Sequence, residues 1–332
     1  MTKHDESRTR RNVLSQAAVG AALIASGAAS AQPAPAAREK GPLVWLNLDQ
    51  NELDDAYDQA VYAPNAVQLH KRRQEKCKEV RARLGEPRRL AYGPTPVEML
   101  DIYTTKRPNA PINVFIHGGA WRSGESWEFC DAAELFVHAG AHFIVPDFID
   151  VIKAGGSLMP MAEQVRRSIA WVHKNAASFG GDPSRVYVSG RSSGAHLAGT
   201  ALITDWPKDF GVPADVIKGA LLSSGMYDLK PVRLSKRGAY VKFTDEMEEA
   251  LSTQRHLARI NCPVIVAHGT YETPEFQRQA RDFAAALKAA GKPVTLLIGE
   301  GHNHFEMPET LGNPYGLLGR AVLEQMKLTS QS

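Results

Sequence analysis

From Arg88 to the C-terminus, short hydrophobic runs alternate with longer segments of helical periodicity. The hydrophobic runs are four to seven residues long and lie at residues 97–103, 112–117, 142–146, 186–189, 219–224, 263–268 and 293–298. The segments with helical spacing lie near residues 125–139, 161–179, 193–204, 274–290 and 315–328. Apolar strands separated by helices of this length need crossover connections. The pattern therefore predicts an α/β fold with a mostly parallel central sheet and helices on both faces.

The segment before this alternating region has a different pattern. Leu53, Tyr57 and Val61 recur at helical spacing, and the basic run "HKRRQEKCKEVRAR" that follows is typical of a solvated helix face. We therefore expect an N-terminal helical extension over residues 43–85 and one α/β domain over residues 86–332. The pattern does not indicate whether the extension covers a ligand pocket or packs beside it.

The first residues resemble an export signal. Residues 8–14 ("RTRRNVL") contain paired arginines, and the Ala/Gly-rich apolar run that follows ends in "ASA", a small-x-small cleavage pattern. We predict a twin-arginine-type signal peptide at residues 1–31 and an Ala/Pro linker at residues 32–42. The mature protein is expected to be periplasmic or secreted. Because the apolar run is short and interrupted, no stable membrane insertion is expected after signal removal.

The amino-acid composition and net charge limit the kinds of molecule that the protein is expected to bind. The 332 residues are 43% hydrophobic and 23% charged, which is typical of a globular protein. Removal of residues 1–31 takes away four basic and two acidic residues, so the net charge falls from +3 to near +1, which argues against nucleic acid as a partner. Cys77, Cys130 and Cys262 lack metal-ligand spacing and are expected to be buried free thiols, with no metal site.

One serine lies where a strand pattern changes directly into a helix pattern. In "RVYVSGRSSGAHLAG" (residues 185–199), Ser192 has Gly190 two residues before it and Gly194 two residues after it. A nucleophile elbow holds its serine in a strained turn between strand and helix, where side chains at these two positions would collide with neighbouring backbone. Ser192 is therefore the candidate nucleophile.

A serine hydroxyl needs a base, a group that orients the base, and donors for the oxyanion. The hydrophobic run at 112–117 ends in His117-Gly118-Gly119. We expect the backbone amides of Gly118 and Gly119, together with that of Ser193 at the helix N-terminus, to form the oxyanion hole. His117 is expected to be structural, because its ring must point away from the serine.

The base and the acid are expected near the C-terminus. The segment "IGEGHNHFEM" offers His302 and His304 as the base, and "VAHGTYETPEF" offers Glu272 and Glu275 as the acid. The order serine, acid, histidine is the one expected for this fold. Asp228, after the run at 219–224, is a third candidate acid. The residue types by themselves leave these alternatives open.

With these motifs the chain resembles the α/β-hydrolase superfamily, and within it the arylformamidase (kynurenine formamidase) and esterase branch. The matching stretches are "LDDAYDQAVYAPN", "YGPTPVEMLDIY", "FIHGGAW", "FGGDPSRVYVSGRSSGAHLA", "SGMYDL", "ETPEFQRQ" and "NHFEM". The resemblance implies Glu272 as the acid, His304 as the base and no cofactor. Two positions depart from the family pattern: Glu272 replaces the more frequent aspartate, and Arg191 replaces the more frequent histidine or glutamine.

The expected function is that of an exported serine hydrolase that cleaves a small acyl or aryl ester through an acyl-enzyme. An arylformamidase-like hydrolase of N-formyl aryl amides is the alternative enzyme, and a non-catalytic binder on a hydrolase scaffold is the alternative outside enzymes. The expected partner is a small-molecule ester or amide. Four aromatic residues are candidates for the pocket wall: Trp121, Phe148, Tyr227 and Phe305.

Overall fold

The structure, a computed structural model, describes residues 39–328. The predicted signal peptide at 1–31 and most of the predicted linker at 32–42 lie outside the described residues. Of the described residues, 41–328 belong to one compact unit. Among the helices of the described part, none is long and apolar enough to cross a bilayer.

Ten strands occur in the described residues. In chain order they are β1 (Leu43–Trp45), β2 (Leu48–Asp49), β3 (Arg88–Ala91), β4 (Met99–Tyr103), β5 (Ala110–Ile116), β6 (His142–Pro146), β7 (Gly181–Arg191), β8 (Ile217–Ser223), β9 (Val264–Gly269) and β10 (Val294–Gly299). The first two pair with each other as an antiparallel ribbon. The other eight form one sheet in the order β10-β9-β8-β7-β5-β6-β4-β3. The pairs from β10 to β6 are parallel, and β4 and β3 add antiparallel at one edge, so the predicted mostly parallel sheet is confirmed.

The helices surround this sheet. The α-helices of the described residues are α1 (Gln50–Ala56), α2 (Gln59–Tyr62), α3 (Ala66–Leu84), α4 (Ala133–His138), α5 (Met159–Asn175), α6 (Ser193–Leu202), α7 (Trp206–Phe210), α8 (Lys230–Leu234), α9 (Asp245–Leu251), α10 (Pro274–Ala289) and α11 (Leu317–Gln325). Five 3₁₀ turns lie at Ser126–Glu128, Ala176–Phe179, Lys236–Ala239, Thr253–Arg259 and Met307–Gly312.

Alternate residues of the strands face two separate cores. On β7, Val186 and Val188 join a cluster that includes residues of α5, α6 and α10, whereas Tyr187 joins a cluster with residues of α3, α4 and α11. This period of two places a layer of helices on each face of the sheet. The parallel strands are apolar on both faces because both faces are covered.

The N-terminal segment is part of these cores, and its pattern was interpreted only in part correctly. Leu53 and Tyr57 are buried in the first cluster and Cys77 in the second, but Val61 is 56% exposed. The helical spacing does not continue from Leu53 to Val61, because α1 ends at Ala56 and a new short helix begins at Gln59. The expectation that Val61 shares the apolar face was therefore wrong.

Two further elements differ from the predictions. The edge strand β3 was not predicted, because its four residues are exposed or half-buried and carry no apolar run. The segment 125–139 is not one helix but a 3₁₀ turn followed by the short helix α4. All three cysteines are buried free thiols, as predicted.

Candidate active site

Ser192 lies in a strained turn at the end of β7, directly before α6. Its backbone has φ +55° and ψ −129°, a conformation that non-glycine residues rarely adopt. Neither flanking position has room for a side chain. A Cβ atom at Gly190 would lie 2.6 Å from the carbonyl oxygen of Gly194, and a Cβ atom at Gly194 would lie 2.1 Å from the carbonyl oxygen of Ile116. The surrounding chain therefore holds the serine in the sharp turn typical of a nucleophile elbow.

Three side chains from distant parts of the sequence meet at this turn. The Nε2 atom of His304 lies 2.9 Å from Oγ of Ser192, and its Nδ1 atom lies 2.7 Å from Oε2 of Glu272. Glu272 follows β9 and His304 follows β10, so both lie beyond the carboxyl ends of parallel strands, as Ser192 does. The arrangement can carry a proton from the hydroxyl to the imidazole.

Glu272 is held as an ionised acceptor. Its Oε1 atom accepts hydrogen bonds from the hydroxyl of Ser224 at 2.6 Å and from the amide of Gly269 at 2.8 Å. Burial by itself would raise the pKa of this carboxyl, but His304 and these two donors together lower the pKa below its ordinary value. The carboxylate is therefore available to orient the imidazole.

The imidazole of His304 is neutral at neutral pH before the reaction begins. Burial lowers the pKa of its imidazole below the usual value of 6.5, and the cations of Arg191 and Arg237 act in the same direction, against the opposing effect of Glu272. Since an ionised carboxylate only accepts hydrogen bonds, Nδ1–H donates to Glu272. The other nitrogen, Nε2, is then free to accept the proton of Ser192.

The loop after β5 runs beside the serine. A Cβ at Gly118 would lie 3.1 Å from Cβ of Ser192, and Gly119 has φ +129°, which only glycine adopts easily. The amide of Trp121 donates to Oγ of Ser193 at 3.2 Å, which ties the loop to the start of α6. Within residues 39–328, the backbone N–H groups of Gly118 and Gly119 donate no hydrogen bond. The backbone N–H of Ser193 lies in the first turn of α6 and therefore has no acceptor within the helix.

His117 turns away from this loop, as expected. Its ring stacks on Phe148 at a centroid distance of 4.4 Å and on Phe129 at 4.9 Å. Its Nδ1 atom lies 2.9 Å from the carbonyl oxygen of Gly118. The ring therefore packs between two aromatic side chains and supports the loop from behind.

The amino-acid sequence of this chain is similar to those of several known proteins. Family models described as BD-FAE and as the prolyl oligopeptidase family match residues 100–218 and 162–314. A kynurenine formamidase of Danio rerio is 29% identical over 298 residues, which cover 85% of this chain and 98% of that protein. A kynurenine formamidase of Salmo salar is 33% identical over 245 residues, which cover 71% of this chain and 81% of that protein. The chain belongs to the kynurenine formamidase and esterase branch of the α/β-hydrolases.

More distant relatives support the same membership. The isoprenylcysteine alpha-carbonyl methylesterase of Arabidopsis thaliana is 26% identical over 245 residues, which cover 66% of this chain and 56% of that protein. The fold is shared with a thermophilic esterase from Thermogutta terrifontis, at a TM-score of 0.63 and 23% identity, over 75% of this chain and 97% of that one. This α/β-hydrolase is a serine hydrolase that acts on ester or formamide substrates.

The other candidate residues of this α/β-hydrolase lie apart from the serine. His302 contacts the carbonyl oxygen of Glu300 at 2.8 Å through Nδ1. Glu275 is paired with Arg278 at 2.7 Å, and Asp228 is paired with Arg255 at 3.2 Å. None of the three contacts His304 or Ser192 among the described residues.

A cavity of about 670 Å³ opens over Ser192 in this α/β-hydrolase. Phe305 lines it as predicted, but Trp121, Tyr227 and Phe148 do not. Trp121 is 2% exposed and donates through Nε1 to His196 at 3.2 Å, and Tyr227 stacks on a phenylalanine of α10 at 4.2 Å. Phe148 lies behind His117. These three predictions were wrong because Trp121 and Tyr227 fill the core beneath the loops, whereas Phe148 packs on His117 and lines a different cavity.

The N-terminal segment supplies part of the cavity wall, which the sequence pattern left undecided. Its lining residues are Tyr57, Asp58, Gln59, Ala60, His70 and Arg73. The backbone oxygen of Tyr57 accepts from Arg237 at 3.0 Å, and the Tyr57 hydroxyl donates to Glu275 at 3.1 Å. The stretch "LDDAYDQAVYAPN", which contributes to the resemblance to this branch, is the signal that could have identified the first four of these residues.

The lowered pKa of His304 predicts how the activity of the enzyme falls at acid pH. We expect kcat/KM to fall as the pH drops through a single midpoint below 6.5, because protonated His304 cannot accept the proton of Ser192 and burial disfavours its charged form. At neutral pH the profile is expected to be flat. The measurement is kcat/KM for a neutral ester from pH 4.5 to 8, and a midpoint above 6.5 would contradict the assignment.

Proposed function

We propose that Ser192, His304 and Glu272 are the catalytic triad of an exported hydrolase that cleaves small carboxylic esters. The observation that supports this proposal is the continuous hydrogen-bonded path from Glu272 through His304 to Ser192, with distances of 2.7 and 2.9 Å. A glutamate can orient the histidine as an aspartate does, since either carboxylate accepts the Nδ1–H hydrogen bond.

The reaction then proceeds in two acyl transfers. His304 takes the proton of Ser192 as the oxygen attacks the ester carbonyl, and Glu272 stabilises the imidazolium that forms. The amides of Gly118, Gly119 and Ser193 hold the tetrahedral oxyanion. His304 next gives its proton to the departing alcohol, which leaves an acyl-enzyme. Water, deprotonated by the same histidine, attacks the acyl group and releases the carboxylic acid and the free serine.

The second candidate function is the hydrolysis of N-formyl aryl amides. The similarity that covers 98% of a kynurenine formamidase favours it, since this match extends over most of the present chain. The predicted export of the protein favours the ester, because kynurenine metabolism is normally cytoplasmic. The two candidates differ in the size of the acyl group that the site must accept: a formamidase needs room for one carbon only.

Substrate comparison separates the two candidates. We expect p-nitrophenyl butyrate to be cleaved with a kcat/KM within about tenfold of that for p-nitrophenyl acetate, since the cavity of about 670 Å³ has room for a four-carbon acyl group. N-formylkynurenine is expected to be a poorer substrate than either ester despite its carboxylate, because the aryl amine of an amide is a poorer leaving group than p-nitrophenolate. The measurement is kcat/KM for the three compounds on the purified protein.

The acyl series controls for the reactivity of the leaving group, because both esters release p-nitrophenol. Rejection of butyrate together with a higher kcat/KM for N-formylkynurenine would replace the ester proposal by the formamidase. Cell fractionation of a bacterium that expresses the full chain tests the premise of export. Activity confined to the cytoplasm would remove the argument that favours the ester.

A further inference from the structure

The cavity over Ser192 is lined by an excess of basic side chains. Four arginines line it without an ion pair to any carboxylate in the described part of the chain, namely Arg73, Arg122, Arg191 and Arg237. Among the described residues, the carboxylates that line the cavity are Asp58, which is paired with Lys236 at 2.5 Å, and Glu128. The cavity therefore carries net positive charge beside the reacting serine.

Three of these arginines contact neutral groups rather than carboxylates. Arg73 donates to the backbone oxygen of Glu128 at 3.0 Å, and Arg237 donates to the backbone oxygen of Tyr57. Arg122 lies over the ring of Tyr240 at 4.3 Å. These contacts position the guanidinium groups but do not neutralise them.

Arg191 is the most constrained of the four. It directly precedes Ser192, is only 6% exposed, and its Nε–H has no hydrogen-bond partner in the described residues. Burial, together with the nearby Arg73, lowers the pKa of this guanidinium to about 9, against the opposing effects of the carboxylates of Asp131, Glu272 and Glu309. A buried cation that forms no direct ion pair is costly, and an anion that enters the cavity would offset part of that cost.

Gln59 is a second buried polar group on the cavity wall without a partner. It is 6% exposed, and neither Oε1 nor Nε2 of its amide forms a hydrogen bond with the described residues. Buried amides are normally hydrogen-bonded, so an unpaired amide at a cavity indicates a group that a ligand completes. Gln59 and Arg191 lie on different elements, and each has a polar atom without a partner among the described residues.

We propose that the cavity selects substrates whose non-reacting part carries a carboxylate, and that Arg191 is the residue that binds this group. The proposal rests on the proposed function of Ser192 and names the substrate class of that site. A guanidinium binds a carboxylate through paired N–H donors, which gives geometry as well as charge. Arg73 adds positive charge on the same side, and Gln59 adds a neutral hydrogen bond.

The test compares anionic substrates with neutral ones of the same shape. Mono-p-nitrophenyl glutarate carries the carboxylate on the acyl side, and 4-acetoxybenzoate carries it on the leaving-group side. The matched neutral compounds are the corresponding carboxamides. We expect kcat/KM to favour the carboxylate by roughly tenfold to hundredfold in at least one pair, because hydrogen bonds between ionised groups are stronger than neutral ones.

Substitutions test which arginine causes the preference for the carboxylate substrates. Arg191→Gln is expected to reduce the ratio of anionic to neutral kcat/KM to near one, mainly through KM, whereas Arg191→Lys is expected to retain part of it. Arg320→Gln removes the same charge from a side chain on α11 that is 70% exposed, and is expected to keep the wild-type ratio. If Arg191→Gln does not fold, Arg73→Gln replaces a half-buried side chain and is expected to lower the same ratio.

The possible outcomes are distinct. Equal kcat/KM for carboxylate and carboxamide in both pairs, in an enzyme that cleaves all four compounds, would overturn the carboxylate site and leave the proposed function intact. A preference that survives in both Arg191→Gln and Arg73→Gln would overturn the assignment to these residues. Failure to cleave any ester or formamide would instead overturn the proposed function itself.

Discussion

Replacement of Ser192 by alanine is expected to abolish turnover and to remove covalent labelling by a fluorophosphonate probe. The loss in kcat is expected to be on the order of a millionfold, as for other serine hydrolases that lose the nucleophile. The physical reason is that His304, at 2.9 Å from Oγ, would have no hydroxyl to deprotonate. The oxyanion donors and the cavity would remain, so the residual rate measures binding and electrostatics without the acyl-enzyme.

A matched variant on the same strand serves as the control. Ser184 lies at the exposed beginning of β7, and its hydroxyl contacts only Asp182 in the described residues. Ser184→Ala is expected to be labelled and to turn over esters as the wild type does. Labelling that persists in Ser192→Ala, with the variant folded by circular dichroism, would mean that another residue is the nucleophile.

Glu272→Gln is expected to reduce kcat/KM by roughly a thousandfold to ten-thousandfold, in line with the loss seen when the acid of a triad becomes an amide. An amide next to His304 no longer stabilises the imidazolium. Its NH₂ group can also reverse the hydrogen bond to Nδ1, which leaves the proton on Nε2 and blocks acceptance from Ser192. The measurement is kcat/KM for p-nitrophenyl acetate at pH 7.5.

Asp228→Asn is the matched control for this substitution. Asp228 contacts Arg255 at 3.2 Å and lies apart from His304, so its neutralisation is expected to change kcat/KM by less than about threefold. The reverse result, with Asp228→Asn inactive and Glu272→Gln active, would place the acid after β8 and would contradict the structure of the site.

Several features of the fold could be predicted from local sequence. The strands β4, β5, β6, β8 and β9 were located within about two residues because both faces of the sheet are covered there, so each strand is a nearly continuous apolar run. The exposed edge strand β3 carries no such run and was missed. The aromatic residues Trp121 and Tyr227 were misassigned for a related reason: large apolar side chains near a loop can fill a core or line a cavity, and their sequence does not distinguish the two.

The residues that surround the cavity were the least predictable. Gln59 and Arg73 belong to the N-terminal segment, more than a hundred residues from Ser192, and were interpreted as part of a helical extension. Arg237 follows α8 in a 3₁₀ turn without a recognisable motif. Each reaches the cavity through long-range packing, such as the contact between Arg237 and the backbone of Tyr57.

The sequence by itself determined the elbow around Ser192 and the glycine loop at Gly118, because these depend on interactions between residues that are adjacent in the chain or on backbone conformations that only glycine allows. The residue types left open which histidine and which carboxylate meet the serine. The family resemblance favoured His304 and Glu272, and the tertiary structure brings these two together with Ser192. His302 and His304 are two residues apart, yet only the ring of His304 lies against Ser192. The lack of a direct ion pair at Arg191 was likewise decided by packing, since a side chain's partners are set by every element folded around it.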